Sequence, residues 1–112
     1  MEHWENKRRF QRIALHLPIQ YKKRGETQSF NAVCDNISSG GMGFVSPAFI
    51  PADSLVMLEI KILSRALRPI GRVTRISSIP HTQKSYLGIE FLELDPKEKD
   101  YLKEYMEMQT GN

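Results

Sequence analysis

Apolar and polar residues alternate with a period of two along most of this chain, and that period constrains the fold more than any other feature. Ile13, Leu15, Leu17, Ile19 and Tyr21 stand against Ala14, His16, Pro18 and Gln20. Successive side chains of a strand point to opposite faces, so such a run buries one face and wets the other. Pro18 has no N–H to give a ladder, which predicts that this first strand lies at an edge or carries a bulge. Residues 22–27, centred on Arg24-Gly25-Glu26, read as a hairpin turn. A second strand follows over residues 28–37, with Phe30, Ala32 and Cys34 on one face, and a short third over residues 42–46. Residues 47–53 form a loop containing two prolines. A fourth strand, residues 54–63, turns Val56, Leu58, Ile60 and Ile62 inward. A fifth covers residues 67–79, with a bend at Pro69 and Gly71. The sixth, residues 85–93, sets Leu87, Ile89 and Phe91 against Tyr86, Gly88 and Glu90.

The period then changes. Asp95-Pro96-Lys97-Glu98 is a helix start, with Asp95 as cap, Pro96 at the first helical position and Glu98 completing a capping box. Tyr101, Leu102, Tyr105 and Met108 follow at helical spacing. The architecture expected is mainly β: a six-stranded antiparallel β-barrel closed at one end by a C-terminal α-helix. The 112 residues fit one domain. Residues 1–12 are polar and charged, with Trp4 and Phe10 as their aromatics, and read as a flexible N-terminal arm; residues 13–112 make the barrel and helix.

Composition excludes several functions. No apolar run approaches the roughly 20 residues of a membrane span, and the N-terminus has no apolar core of a secretory signal. Cys34 is the lone cysteine, which with the missing signal favours the cytoplasm. His3, His16 and His81 are scattered, so no metal spacing arises, and no nucleophile stands beside a base. We therefore expect neither catalysis nor a cofactor. Cys34 reads as a small core residue, His16 as a surface position, and Tyr101 and Tyr105 as the apolar helix face.

Two polar clusters remain. The first is Asn36-Ile37-Ser38-Ser39-Gly40-Gly41-Met42-Gly43, with three glycines in four residues. Glycine costs backbone entropy, so the cluster needs a cause: a turn at positive φ, or a ligand approaching bare backbone. The second is Lys7-Arg8-Arg9-Phe10-Gln11-Arg12. Net charge is only +3, but residues 61–84 add Arg65, Arg68, Arg72 and Arg75 with no Asp or Glu. Such separated basic blocks fit an anionic partner. By themselves the arginines also fit a solvated tail, and the glycines a bare strand connection.

Together the clusters resemble the PilZ domain, a bacterial receptor module for cyclic di-GMP. Arg8-Arg9-Phe10-Gln11-Arg12 is similar to the family's Arg-x-x-x-Arg motif. Asn36-Ile37-Ser38-Ser39-Gly40-Gly41 is similar to its Asp/Asn-x-Ser-x-x-Gly motif. Gly71-Arg72-Val73 and Leu87-Gly88-Ile89-Glu90-Phe91 look like its closing strands. The resemblance implies a signalling receptor with a downstream protein partner, no catalysis and no membrane. It places the ligand on Lys7, Arg8, Arg9, Arg12, Asn36, Ser38, Gly40 and Gly41. Lys7, just before the first motif, is the position the family associates with two stacked nucleotides.

The residue types suit that ligand. An arginine fork matches the O6 and N7 acceptors of guanine and also stacks on a base. Arg8 and Arg12, four apart, share a face whether the arm is helix or strand. Asn36 supplies an acceptor for the opposite guanine edge, and Ser38 a hydroxyl for guanine or phosphate. Arg75 divides evenly between ligand contact and solvated strand face. Two rivals stand beside this reading. One is a PilZ-like adaptor that binds proteins without ligand. The other is a small basic barrel for single-stranded nucleic acid; the absence of any aromatic from residues 61–84 counts against it.

Overall fold

The computed structural model describes residues 12–47 and 49–110. Seven strands and a helix follow in order: β1 (Pro18–Lys23), β2 (Phe30–Ser38), β3 (Gly41–Ser46), β4 (Leu55–Ile62), β5 (Arg65–Leu67), β6 (Ile70–Ser78), β7 (Ser85–Glu93) and α1 (Pro96–Thr110). All pairings are antiparallel, in the order β1-β2-β3-β7-β6-β4, and β1 pairs back onto β4. That last ladder closes a six-stranded barrel. The short β5 hangs on β4 as a hairpin whose turn residue Leu63 has a φ of 56°.

Closure overturns the expectation of an edge for β1, since closed barrels have none. Pro18 is tolerated for another reason. It opens the strand and pairs only with Val33 of β2, while pairing to β4 begins at Ile19, opposite Ile60. The alternating residues before it do not join the strand. Ile13 forms an isolated bridge to Ile37, with reciprocal bonds of 3.0 Å, and the Leu17 carbonyl accepts from the Cys34 N–H at 2.9 Å.

Inward positions of every barrel strand supply the core, including Tyr21, Ile37, Phe44, Ile60, Val73 and Leu87. The Tyr21 ring meets that of Phe44 at 4.8 Å between centroids, and its hydroxyl shares a hydrogen bond of 2.6 Å with Ser46. Burial holds the Tyr21 phenol above its ordinary pKa, an effect the Ser46 contact reduces.

The fifth strand expected over residues 67–79 is broken in two at Arg68-Pro69. β5 ends at Leu67 and β6 begins at Ile70. Pro69 cannot donate, but its carbonyl accepts from the Leu58 N–H at 3.1 Å. α1 seats itself at this break. Asp95 caps it through Oδ1, which accepts the Lys97 N–H at 2.8 Å. Glu98 does not close the expected capping box; its Oε1 accepts the Arg68 N–H at 3.1 Å. Leu102 and Met106 are buried, with Tyr101 and Tyr105 packed beside them. Met108, expected on that face, is 66% exposed; Met106, four residues beyond Leu102, takes its place.

Candidate functional site

A bulge in β2 sets the site. Cys34 pairs with Phe44 of β3 and Asn36 with Gly43, so Asp35 is the extra residue. Without it Asn36 would continue the inward phase of Phe30, Ala32 and Cys34. With it Ile37 turns inward and Asn36 faces out, half-buried. Bulges re-aim side chains in this way. On the inner side Cys34 satisfies the irregular backbone opposite. Its thiol donates to the Leu15 carbonyl at 2.9 Å and its sulfur accepts the Leu17 N–H at 3.4 Å. Burial raises the Cys34 pKa and the Asp35 charge adds to this, against the lowering contact from Leu17. The thiol therefore stays protonated and is inert as a nucleophile.

On the outer side Asn36 joins two distant parts of the chain. Arg12 Nη1 donates to Asn36 Oδ1, and Asn36 Nδ2 donates to the hydroxyl of Tyr86 on β7 at 2.9 Å. Pairing then runs from Asn36 across Gly43 and Gly88 to Arg75 on β6. Four strands thus place Asn36 and Arg75 at the ends of one outward row, with two glycines between. Strand spacing makes that row about 14 Å long. Tyr86, two residues before Gly88 on β7, leans across Gly43: a Cβ there would lie 1.8 Å from its hydroxyl oxygen. In the next outward row, Arg72 and Glu90 form an ion pair at 2.8 Å.

Arg12, Asn36 and Arg75 therefore share one face of the barrel. Ser38, Gly40 and Gly41 shape the turn beside it. Ser38 is 2% exposed; its hydroxyl accepts the Gly40 N–H at 3.1 Å and donates to the Gly41 carbonyl at 3.4 Å. The Gly40 carbonyl accepts from Phe91 of β7. A Cβ on Gly41 would lie 2.2 Å from the Ile89 carbonyl oxygen, so close strand contact requires this glycine. The positive φ considered for the cluster falls elsewhere, on Gly25 at 87°. Lys7, Arg8, Arg9 and the rest of the expected arm before Arg12 lie outside the described residues.

Sequence reasoning missed Tyr86 and Gly88 beside Asn36, and had Gly43 only as a member of the glycine cluster. Gly88 had a signal, since a glycine at an outward strand position marks close approach. Tyr86 had none, because only pairing reveals what it crosses. Among the described residues, no helix is long and apolar enough to cross a membrane, and no group of three or more His, Cys, Asp or Glu is placed to hold a metal ion.

Comparison with known proteins extends this geometry. The inhibitor of motility MotI/DgrA of Bacillus subtilis is 20% identical, with a TM-score of 0.79, over 94% of this chain and 52% of its own. YcgR of Escherichia coli, solved in complex with c-di-GMP, is 19% identical with a TM-score of 0.77, over 93% of this chain and 46% of its own. The chain thus spans about half the length of these two neighbours. The PilZ domain of YcgR with c-di-GMP is 18% identical, with a TM-score of 0.68, over 87% and 86%. A comparison with curated proteins returned no match. At these identities the solved neighbours show the fold alone. The PilZ domain family model matches residues 6–108, and the chain belongs to the PilZ domain family.

Proposed function

We propose that this protein is a cyclic di-GMP receptor whose N-terminal arm folds over the outward row and presents a changed surface to a protein partner. The observation that carries this reading is the contact of Arg12, last residue of the first motif, with Asn36, first residue of the second. Membership of the PilZ family and the c-di-GMP complexes among its fold neighbours support the choice of ligand.

In this reading Arg12, held by Asn36 through one N–H, spends its other donors on a guanine edge or phosphate. Arg8 joins it on the same face of the arm. Lys7 and Arg9 reach phosphate or a second nucleotide. Tyr86 covers Gly43, so the flat ligand would approach backbone at half-buried Gly88, and Arg75 closes the far end. Ser38, Gly40 and Gly41 hold the turn in shape. Ordering the arm costs roughly 1–2 kcal/mol of backbone entropy per residue, and phosphate and guanine contacts offset it. The arm would then be the element whose population the ligand shifts.

Calorimetric titration with cyclic di-GMP, beside GMP and a short oligonucleotide, tests the proposal. Saturable binding of cyclic di-GMP, far weaker for the others, is expected. No heat and no chemical-shift change at high ligand concentration refutes it.

A further inference from the structure

An arginine side chain only donates hydrogen bonds. The atom Asn36 turns toward Arg12 is therefore its oxygen, and the amide nitrogen must face the other way, toward Tyr86 at 2.9 Å. There the phenol oxygen accepts, and the phenol proton points away from Asn36. Tyr86 reaches this place only because Gly43 carries no side chain. The other acceptor near the amide nitrogen is Asp35 Oδ2 at 3.5 Å, the limit of a hydrogen bond. Arg12, a donor only, thus sets which way round the amide sits, and the Tyr86 hydroxyl is the close partner that pins its nitrogen.

We propose that Tyr86 is a positioning residue for nucleotide recognition. Its hydroxyl anchors the Asn36 amide on which Arg12 docks, and so holds the Arg12 guanidinium at the Asn36 end of the row. The inference rests on the receptor reading above. Without the hydroxyl, the Asn36 nitrogen keeps only the 3.5 Å contact with Asp35, the side chain turns more freely, and the hold on Arg12 loosens.

Tyr86→Phe removes one oxygen and leaves the ring that crosses Gly43. Two readouts are taken: cyclic di-GMP affinity by calorimetry, and the side-chain amide signals of Asn36 with the Arg12 Nε–H by NMR before ligand is added. We expect affinity to fall about three- to ten-fold, the scale of one lost hydrogen bond, the Asn36 amide signals to shift, and the Arg12 Nε–H to exchange faster. Amide signals that stay in place overturn the proposal, even if affinity falls, because Tyr86 would then act on the ligand directly. Shifted amide signals with unchanged affinity also overturn it. Wild-type protein that binds no cyclic di-GMP overturns the receptor reading, and the amide signals still show whether Tyr86 orients Asn36. Should Tyr86→Phe fold poorly, Tyr86→Leu removes the same hydroxyl, adds no atom against Asn36, and must give the same pair of changes.

Discussion

Cys34 and Asn36 lie two residues apart on β2, yet the bulge between them sends one inward and the other out. Each bonds a polar group from the chain segment leading into β1. Inside, Cys34 closes a local circuit: Leu15 gives a carbonyl, Leu17 an N–H, and the thiol serves both. Outside, Asn36 links Arg12 to Tyr86, an exposed group to a half-buried one. A buried polar group left unpaired is expensive, so the inner circuit is complete. Solvent removes that demand on the outer side, and donors can be kept for a ligand. The same bulge should therefore yield variants that damage stability on one side and binding on the other.

Two glycines of the turn segment give the largest separation. A Cβ on Gly41 would strike the Ile89 carbonyl of β7, which is backbone; one on Gly43 would strike the far end of the Tyr86 ring. Backbone cannot move aside without opening the β3–β7 ladder, whereas a tyrosine can swing. Gly41→Ala should cost about 3 kcal/mol or more of folding stability in urea unfolding, and Gly43→Ala about 1 kcal/mol. Equal losses would break the comparison, because the outer face would then be as stiffly built as the core.

Binding should reverse the ranking. Arg12→Ala removes a charge-assisted contact and should weaken cyclic di-GMP by about ten-fold or more, on the order of 1.5–3 kcal/mol. Its melting temperature should barely change, since Arg12 is exposed. Arg8→Ala should behave likewise. A large loss of stability with unchanged affinity would make the arm a structural strap.

Cys34→Ala tests the opposite side. It strands the Leu17 N–H and Leu15 carbonyl, which should cost about 1–3 kcal/mol of stability and leave affinity unchanged. An alkaline signature should accompany it. The folded thiol has a pKa raised above its ordinary value of 9.0, so the unfolded chain ionises first. Its contribution is therefore full below about pH 9 and is lost as pH rises through the folded value. Tyr21 adds a similar fall beginning near its ordinary value of 10.0. Stability measured from about pH 8 to about pH 11 should decline, and Cys34→Ala should remove the earlier part of that decline. An unchanged profile in the variant would show that the thiol is not held in its neutral form.

These contrasts also mark what the sequence could reveal. Alternation located the barrel strands because each buries one face, and Asp95-Pro96 located α1 because helix starts have local chemistry. The bulge was not read, though it had a signal: Cys34 and Ile37, both apolar, are three apart where a regular strand needs an even step. The barrel was expected and is found, but which strands close it was not legible, because the β1–β4 ladder is a long-range pairing that no local pattern encodes; Pro18 was therefore assigned to an edge or a bulge. Glu98 went astray for a similar reason, since the Arg68 N–H competing for it lies 30 residues away. The site divides the same way. Asn36 stood out by motif, while Tyr86 belongs to it only through its place across Gly43.

The smallest effect expected separates Arg75 from Arg65. Both are exposed arginines of the basic stretch. Arg75 ends the row that begins at Asn36, and its Cβ would lie 3.3 Å from one built on Gly88. Arg65 lies on β5, rather than in the turn before it, and its guanidinium sits over the Tyr101 ring of α1 at 4.6 Å from the centroid. A ligand lying along this row beside Gly88 meets the first and not the second. Arg75→Ala should weaken cyclic di-GMP several-fold, on the order of 1 kcal/mol, while Arg65→Ala leaves affinity unchanged and loses only a surface cation–π contact of about 0.5–1 kcal/mol in stability. Calorimetry at low and high salt decides between local contact and general attraction. Equal losses for both variants, erased by salt, would mean that the whole basic surface draws the ligand in. An Arg75 effect that survives high salt would fix the far end of the site at the fourth strand of the row.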